Sequence, residues 1–175
     1  MTSRLLLVLL LALVATLLVA PAVAEDAADT APTVAEQVAG LQTMCSEAAA
    51  AQAERRAKES LHSRLGGDEK IAKMFGNIVK RHRVNETIKM HMEGIDDELL
   101  VKHLVDFVSA GCGGGGTYTG RSMEDSHRYM KLTDADFLAA GGDVSNGMAE
   151  MGYGANEIEE FICILVSLKD QVVFE

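Results

Sequence analysis

The chain has two prolines in 175 residues, Pro21 and Pro32, so nothing from residue 33 onward carries a proline brake on helix formation. Over that span apolar residues recur at spacings of three and four, and no segment alternates as a half-buried strand does. An all-α domain is predicted. Gly66-Gly67 breaks the chain, and Asp68 is placed to cap a helix whose stripe is Ile71, Met74, Phe75, Ile78 and Val79. Asn85 is placed to start a shorter segment, "NETIKMHM", ended by Gly94. Asn85-Glu86-Thr87 is formally a glycosylation sequon, although a helix cap is the simpler reading. Asp96 or Asp97 begins the next helix, with Leu99, Leu100, His103, Leu104, Phe107 and Val108 along one face.

That helix ends in "AGCGGGG", which lacks the strand before and the Gly-Lys-Ser/Thr after that a phosphate cradle needs. It reads as a flexible connection. A brief helix follows from Ser122 to about Tyr129, and Thr133 with Asp136 then forms a capping-box pattern. Gly141, Gly142 and Gly147 each weaken the next helix by roughly 1 kcal/mol relative to alanine, which predicts irregularity there. Asn156 with Glu159 starts the last helix, striped by Ile158, Phe161, Ile162, Leu165, Leu168 and Val172.

Three segments organise the chain. Residues 1–24 open with Arg4, run apolar from Leu5 to Ala20 and end in Ala22-Val23-Ala24, the layout of a cleaved secretory signal peptide. The alternative is an uncleaved membrane anchor, for which an apolar run of ~16 residues is somewhat short. Either way the folded part is expected to be exported, periplasmic or secreted, with membrane contact only through an uncleaved signal segment. Residues 25–58 comprise an acidic tether and an Ala-rich helix with a weak apolar stripe, read as loosely attached, with Glu54-Arg55-Arg56 as solvated surface. Residues 59–175 form the main domain.

Removing residues 1–24 takes away Arg4 and no acid, which moves the formal charge from −10 to −11. Such a surface repels nucleic-acid phosphates and anionic lipid. Cys45, Cys112 and Cys163 are too few for a disulfide scaffold, but export permits one bridge. Cys163 lies in an apolar helical run and reads as inert core, leaving Cys45 with Cys112 as the pair to test.

The five histidines carry the chemistry. No H-E-x-x-H, G-x-S-x-G or clustered Cys/His set occurs, which removes common hydrolases and zinc sites. His62 and His82 read as solvated. His103 sits on one apolar face and His127 at the head of another, on either side of a glycine-rich loop. Met90 and Met92 of "MHM" read as packing, with a metal-ligand role for a histidine or methionine of that stretch as the alternative.

"SLHSRLGG" at 60–67, "YTGRSM…H" at 118–127, "LTDADF" at 132–137 and the acidic-apolar last helix resemble the group 1 truncated haemoglobins across residues 60–173. The resemblance implies a shortened globin, a two-over-two helical sandwich around haem b (iron protoporphyrin IX), preceded here by an extra N-terminal helix. It makes His127 the proximal iron ligand, with its second ring nitrogen bonded to a fixed acceptor. Leu100, Leu104, Phe107, Val108, Met123 and Met130 would enclose the porphyrin, with Tyr118 of the loop motif beside them. His103, 24 positions before His127, matches a distal-helix histidine that some cyanobacterial members use as sixth ligand. Two readings of it stay open: an iron ligand, or a rim residue facing solvent or a propionate.

The family pattern is broken at three places. Val79 stands where many members have a distal tyrosine, Leu104 where glutamine is common, and Met92 where a phenylalanine wedges against the porphyrin. With both donors missing, bound dioxygen would be poorly stabilised. The implied function is a haem protein that binds diatomic gas (O₂, NO, CO) or exchanges electrons with a redox partner, with bis-histidine coordination through His103. The alternative is a haem-free globin-like interaction or sensory module. An enzyme detoxifying nitric oxide or peroxide rests on family precedent, and the distal residues do not support it.

Overall fold

The computed structural model describes residues 31–174, all helix and connecting turns. The expected signal segment and the first part of the expected tether lie outside the described residues. Seven helices follow one another: α1 (Val34–Lys58), α2 (Leu61–Arg64), α3 (Gly67–Val84), α4 (Asp97–Gly111), α5 (Met123–His127), α6 (Asp134–Glu150) and α7 (Ala155–Ser167), with 3₁₀ turns at Lys89–Met92 and Lys169–Gln171.

Local chemistry sets most boundaries. Thr33 with Glu36 and Thr133 with Asp136 form capping boxes, and the Asp96 carboxylate accepts from Leu99 N–H at 3.0 Å. Ser122 caps α5 by accepting from Asp125 N–H. Three expected starts differ, and at the last of them Gly154, not Asn156, precedes α7. Gly66, at φ +91°, precedes α3 in place of Asp68, whose carboxylate instead accepts from His62 and Ser109. Asn85 closes α3 and bonds Asp143 at 2.9 Å, so its amide is engaged within the fold.

α3 packs against α4 and α6 against α7, and the two pairs meet where α3 crosses α6. This is a two-over-two arrangement. Its core holds Leu61, Leu65, Ile71, Met74, Phe75, Ile78, Val144, Met148 and Phe161, with Phe75 and Phe161 tilted at 6.1 Å. α6 runs unbroken through its glycines, contrary to the expected irregularity. At Gly147 the reason is contact: a Cβ there would lie 2.8 Å from Ile78 Cγ1, so the missing side chain lets α6 approach α3.

α1 is fastened to the domain, where its weak stripe suggested loose attachment. Cys45 pairs with Cys163 of α7, and Arg55 bonds Glu159 at 2.8 Å. This corrects the expected Cys45–Cys112 pairing: α1 packs on α7, which brings Cys163 to Cys45 and leaves Cys112 a free thiol. Burial, and then the Glu160 charge, push that thiol above its usual range. Arg55 and Arg56, read as solvated, both reach Glu160, which is 0% exposed and also takes Arg64 at 2.5 Å.

Candidate functional site

The site is built from α4, α5 and the turn between α3 and α4. His127 is half-buried at the end of α5, and its Nδ1 lies 2.8 Å from the Met123 carbonyl oxygen. A carbonyl can only accept, so Nδ1 carries the proton. Nε2 of a neutral ring is then left with its lone pair and no hydrogen-bond partner among the described residues. Because the acceptor is the backbone of the same helix, the ring is fixed by α5 itself. His103 is exposed on α4 and makes no hydrogen bond among the described residues.

The surrounding apolar residues divide into two sets. Val79 and Val108 are buried at 2% and 5%, and Val108 belongs to the core formed with α3. Leu100, Leu104, Phe107, Met123 and Met130 are only half-buried, and Leu99 is 53% exposed. α4 packs on α3 along one side, while α5 packs chiefly on the Lys169–Gln171 turn. The link across is Tyr118, whose ring meets Phe107 edge-on at 5.2 Å.

The 3₁₀ turn carries Met92, which is buried at 7%. Arg83 at the end of α3 holds this turn by donating to the carbonyls of Met92 at 2.5 Å and Ile95 at 2.7 Å, while pairing with Asp97. The bond to Asp97 raises the guanidinium's already high pKa. His91 faces Asp136 at 3.9 Å. Burial works to raise the Asp136 carboxyl, but the Thr133 hydroxyl and N–H outweigh it and hold it below its usual value.

His62 and His82, expected to be solvated, are paired with Asp68 at 2.8 Å and Asp143 at 2.9 Å. Sequence reasoning missed Arg83 and Glu160 as positioning residues. For Glu160 the stripe gave no signal: it lies opposite Ile158, Phe161, Ile162 and Leu165 on α7, where a solvated acid is expected, and it meets Arg55 and Arg56 of α1 and Arg64 of α2 there.

Among the described residues no three His, Cys, Asp or Glu side chains converge to hold a bare metal ion. His127 is therefore a single nitrogen donor, and the apolar residues Leu100, Leu104 and Phe107 of α4 are left half-covered. That combination fits a planar apolar group carrying its own metal, with His127 Nε2 able to ligate it and the open face of α4 able to cover one side.

No protein-family model matches the chain. Its sequence is similar to the group 1 truncated haemoglobin of Mycolicibacterium paratuberculosis, 23% identical over 113 residues, which are 65% of this chain and 83% of that protein. It is equally similar, at 23% over 116 residues, to a group 1 truncated haemoglobin of Chlamydomonas moewusii, covering 65% of this chain and 68% of the other. Among solved structures, the Fe(III) truncated haemoglobin of Tetrahymena pyriformis superposes with a TM-score of 0.61 at 23% identity, over 66% of this chain and all of that one. The Synechococcus 2/2 haemoglobin, in its cyanomet state with covalently attached haem, gives 0.59 at 24% identity, over 63% and 93%. The fold is that of the truncated globins.

Proposed function

We propose that this chain is an exported haem protein of the group 1 truncated haemoglobin kind, binding a diatomic gas at an iron held by His127. The observation that carries the reading is the His127 ring: Nδ1–H is committed to the Met123 carbonyl, which leaves Nε2 without a hydrogen-bond partner among the described residues. Haem b, when bound, would supply the iron and its gas and redox chemistry. The chain's own part is to orient one imidazole, raise its basicity through the carbonyl, and exclude water with α4 and Met92.

His103 is the sixth ligand in this proposal, because it is exposed and makes no hydrogen bond among the described residues. Any gas must then displace it, and apparent affinity falls in proportion to the open fraction. Val79 and Leu104 offer bound gas no hydrogen bond, which favours exchange of electrons or transient gas binding over tight oxygen storage. Export is supported by the Cys45–Cys163 bridge, since disulfides persist in oxidising compartments.

The test is the absorption spectrum of the mature chain reconstituted with haem. His127→Ala is expected to remove the normal ferric and ferrous spectra, and His103→Ala to convert a six-coordinate low-spin ferrous spectrum to a five-coordinate one. A His127→Ala spectrum indistinguishable from the parent's refutes the haem reading. Absence of any Soret band in the parent would leave the haem-free interaction module in its place.

A further inference from the structure

The outer side of the α6–α7 pair holds a cleft of about 500 Å³ that shares no residue with the site around His127. Its walls come from α1, α6 and α7, chiefly Leu41, Met44, Phe137, Ile158, Ile162 and Leu165, with none from α4 or α5. A space of this size falls in the ~300–1,000 Å³ range of small-molecule sites. α1 forms its third wall and is fixed there covalently, because Cys45 follows Met44 directly and is bonded to Cys163.

Two further observations distinguish it from a packing gap. Gly141 and Gly142 lie on the wall in mid-helix, and a Cβ added to either would meet nothing within 4 Å. Neither has a positive φ, so no backbone requirement calls for glycine. Alanine would fit both sites and favour the helix, so what the glycines preserve is the open volume. The polar groups on the wall also point to one kind of occupant. The Glu159 carboxylate is already engaged by Arg55 at 2.8 Å and Gln52 at 3.4 Å, whereas the Ser145 hydroxyl bonds no protein group among the described residues.

We infer that this cleft is a second binding site, for a slender, neutral, apolar molecule carrying one hydroxyl or carbonyl group, with Ser145 as its polar contact. A charged ligand is disfavoured because Glu159, the one charged residue of the lining, is already paired with Arg55, and the remaining lining offers mostly apolar contact. The site does not depend on the haem reading, since its walls are complete without α4 and α5.

The test uses the full mature chain, with and without saturating haem, and the neutral dye N-phenyl-1-naphthylamine as probe, displaced by 1-decanol. Expected is saturable binding that persists in the presence of haem, weakened at least tenfold by Gly141→Leu, which fills the cleft from α6. Leu41→Trp fills it from the opposite wall and is expected to do the same, so it decides the matter if the first variant does not fold. Two results overturn the site: no saturable binding to the parent, or an affinity unchanged in a folded filling variant. Failure of haem to bind would leave both outcomes readable.

Discussion

Glu160 shows how a single side chain organises its surroundings. It is fully buried on α7, with Arg64 at 2.5 Å and Arg55 at 3.4 Å on Oε2, and Arg56 at 3.1 Å from Oε1 without hydrogen-bond geometry. A buried carboxylate is tolerable only because cations meet it, and removing one side of such a set leaves the others unpaired. Glu160→Ala is expected to cost about 3–5 kcal/mol in urea unfolding, with Glu160→Gln intermediate because the amide still accepts. A loss below about 1 kcal/mol would mean that the three arginines are solvated after all. At the His127 end the stakes differ. Its Nδ1 acceptor is a backbone carbonyl, which no side-chain substitution removes, so the ring's orientation stands or falls with α5. Tyr118 is the neighbour that can be tested: Tyr118→Ala removes the edge contact to Phe107 and should shift the haem spectrum or speed haem loss, while leaving urea stability within about 1 kcal/mol.

Among the elements, α6 carries a matched pair of glycine predictions. Gly141 faces open space and Gly147 faces Ile78 at 2.8 Å, so Gly141→Ala should raise stability by about 1 kcal/mol while Gly147→Ala should lower it. Equal shifts in the two melting temperatures would show that contact with α3 is not what fixes Gly147. α1 poses the same question through a covalent bond. Its bridge closes 118 residues of chain, so Cys45→Ser should cost about 2–5 kcal/mol and expose Val34–Lys58 to proteolysis ahead of the rest. The caps at Asp96, Ser122 and Thr133 were legible in the sequence because each involves residues three apart, as were the core stripes of α3 and α7. The order of motifs around His127 was legible too, but its free Nε2 was not, since that depends on a carbonyl placed by the helix. The Cys45–Cys163 pairing was hidden because α1 has almost no apolar stripe, with only Val38 and Gln52 buried, and nothing local says which helix it meets. Arg55 and Arg56 were misread for the same reason: their acids lie on α7, more than a hundred positions away.

Over the whole molecule, the acids that join elements set the response to pH. Arg81, and then Asn77, hold the Glu150 carboxyl below its usual range, and these contacts tie α3 to α6 where the two helix pairs cross. Ser109 and then His62 do the same for Asp68, linking α3 to α4 and α2. A folded value below the unfolded one means that the carboxylate's stabilisation is present above the unfolded value and is lost as pH falls through the folded one. With unfolded values near ~4.3 for Glu and ~3.9 for Asp, the loss begins below about pH 5 and continues downward. The opposite limb belongs to Tyr153, whose hydroxyl donates to the Leu65 carbonyl at 2.8 Å and whose pKa burial raises. Its contribution is present at neutral pH and lost as pH rises beyond ~10 through the elevated folded value. Urea midpoints between pH 3 and 7 separate these carboxyl contributions from general charge repulsion. Glu150→Gln should start below the parent at pH 7, because the ion pair with Arg81 is gone, and should fall less steeply on acidification. The two curves should converge at the acid end, where the parent's Glu150 is protonated as well. Curves that stay parallel throughout would show that Arg81 and Glu150 do not couple the two layers, and that the fold answers acid through its net charge alone.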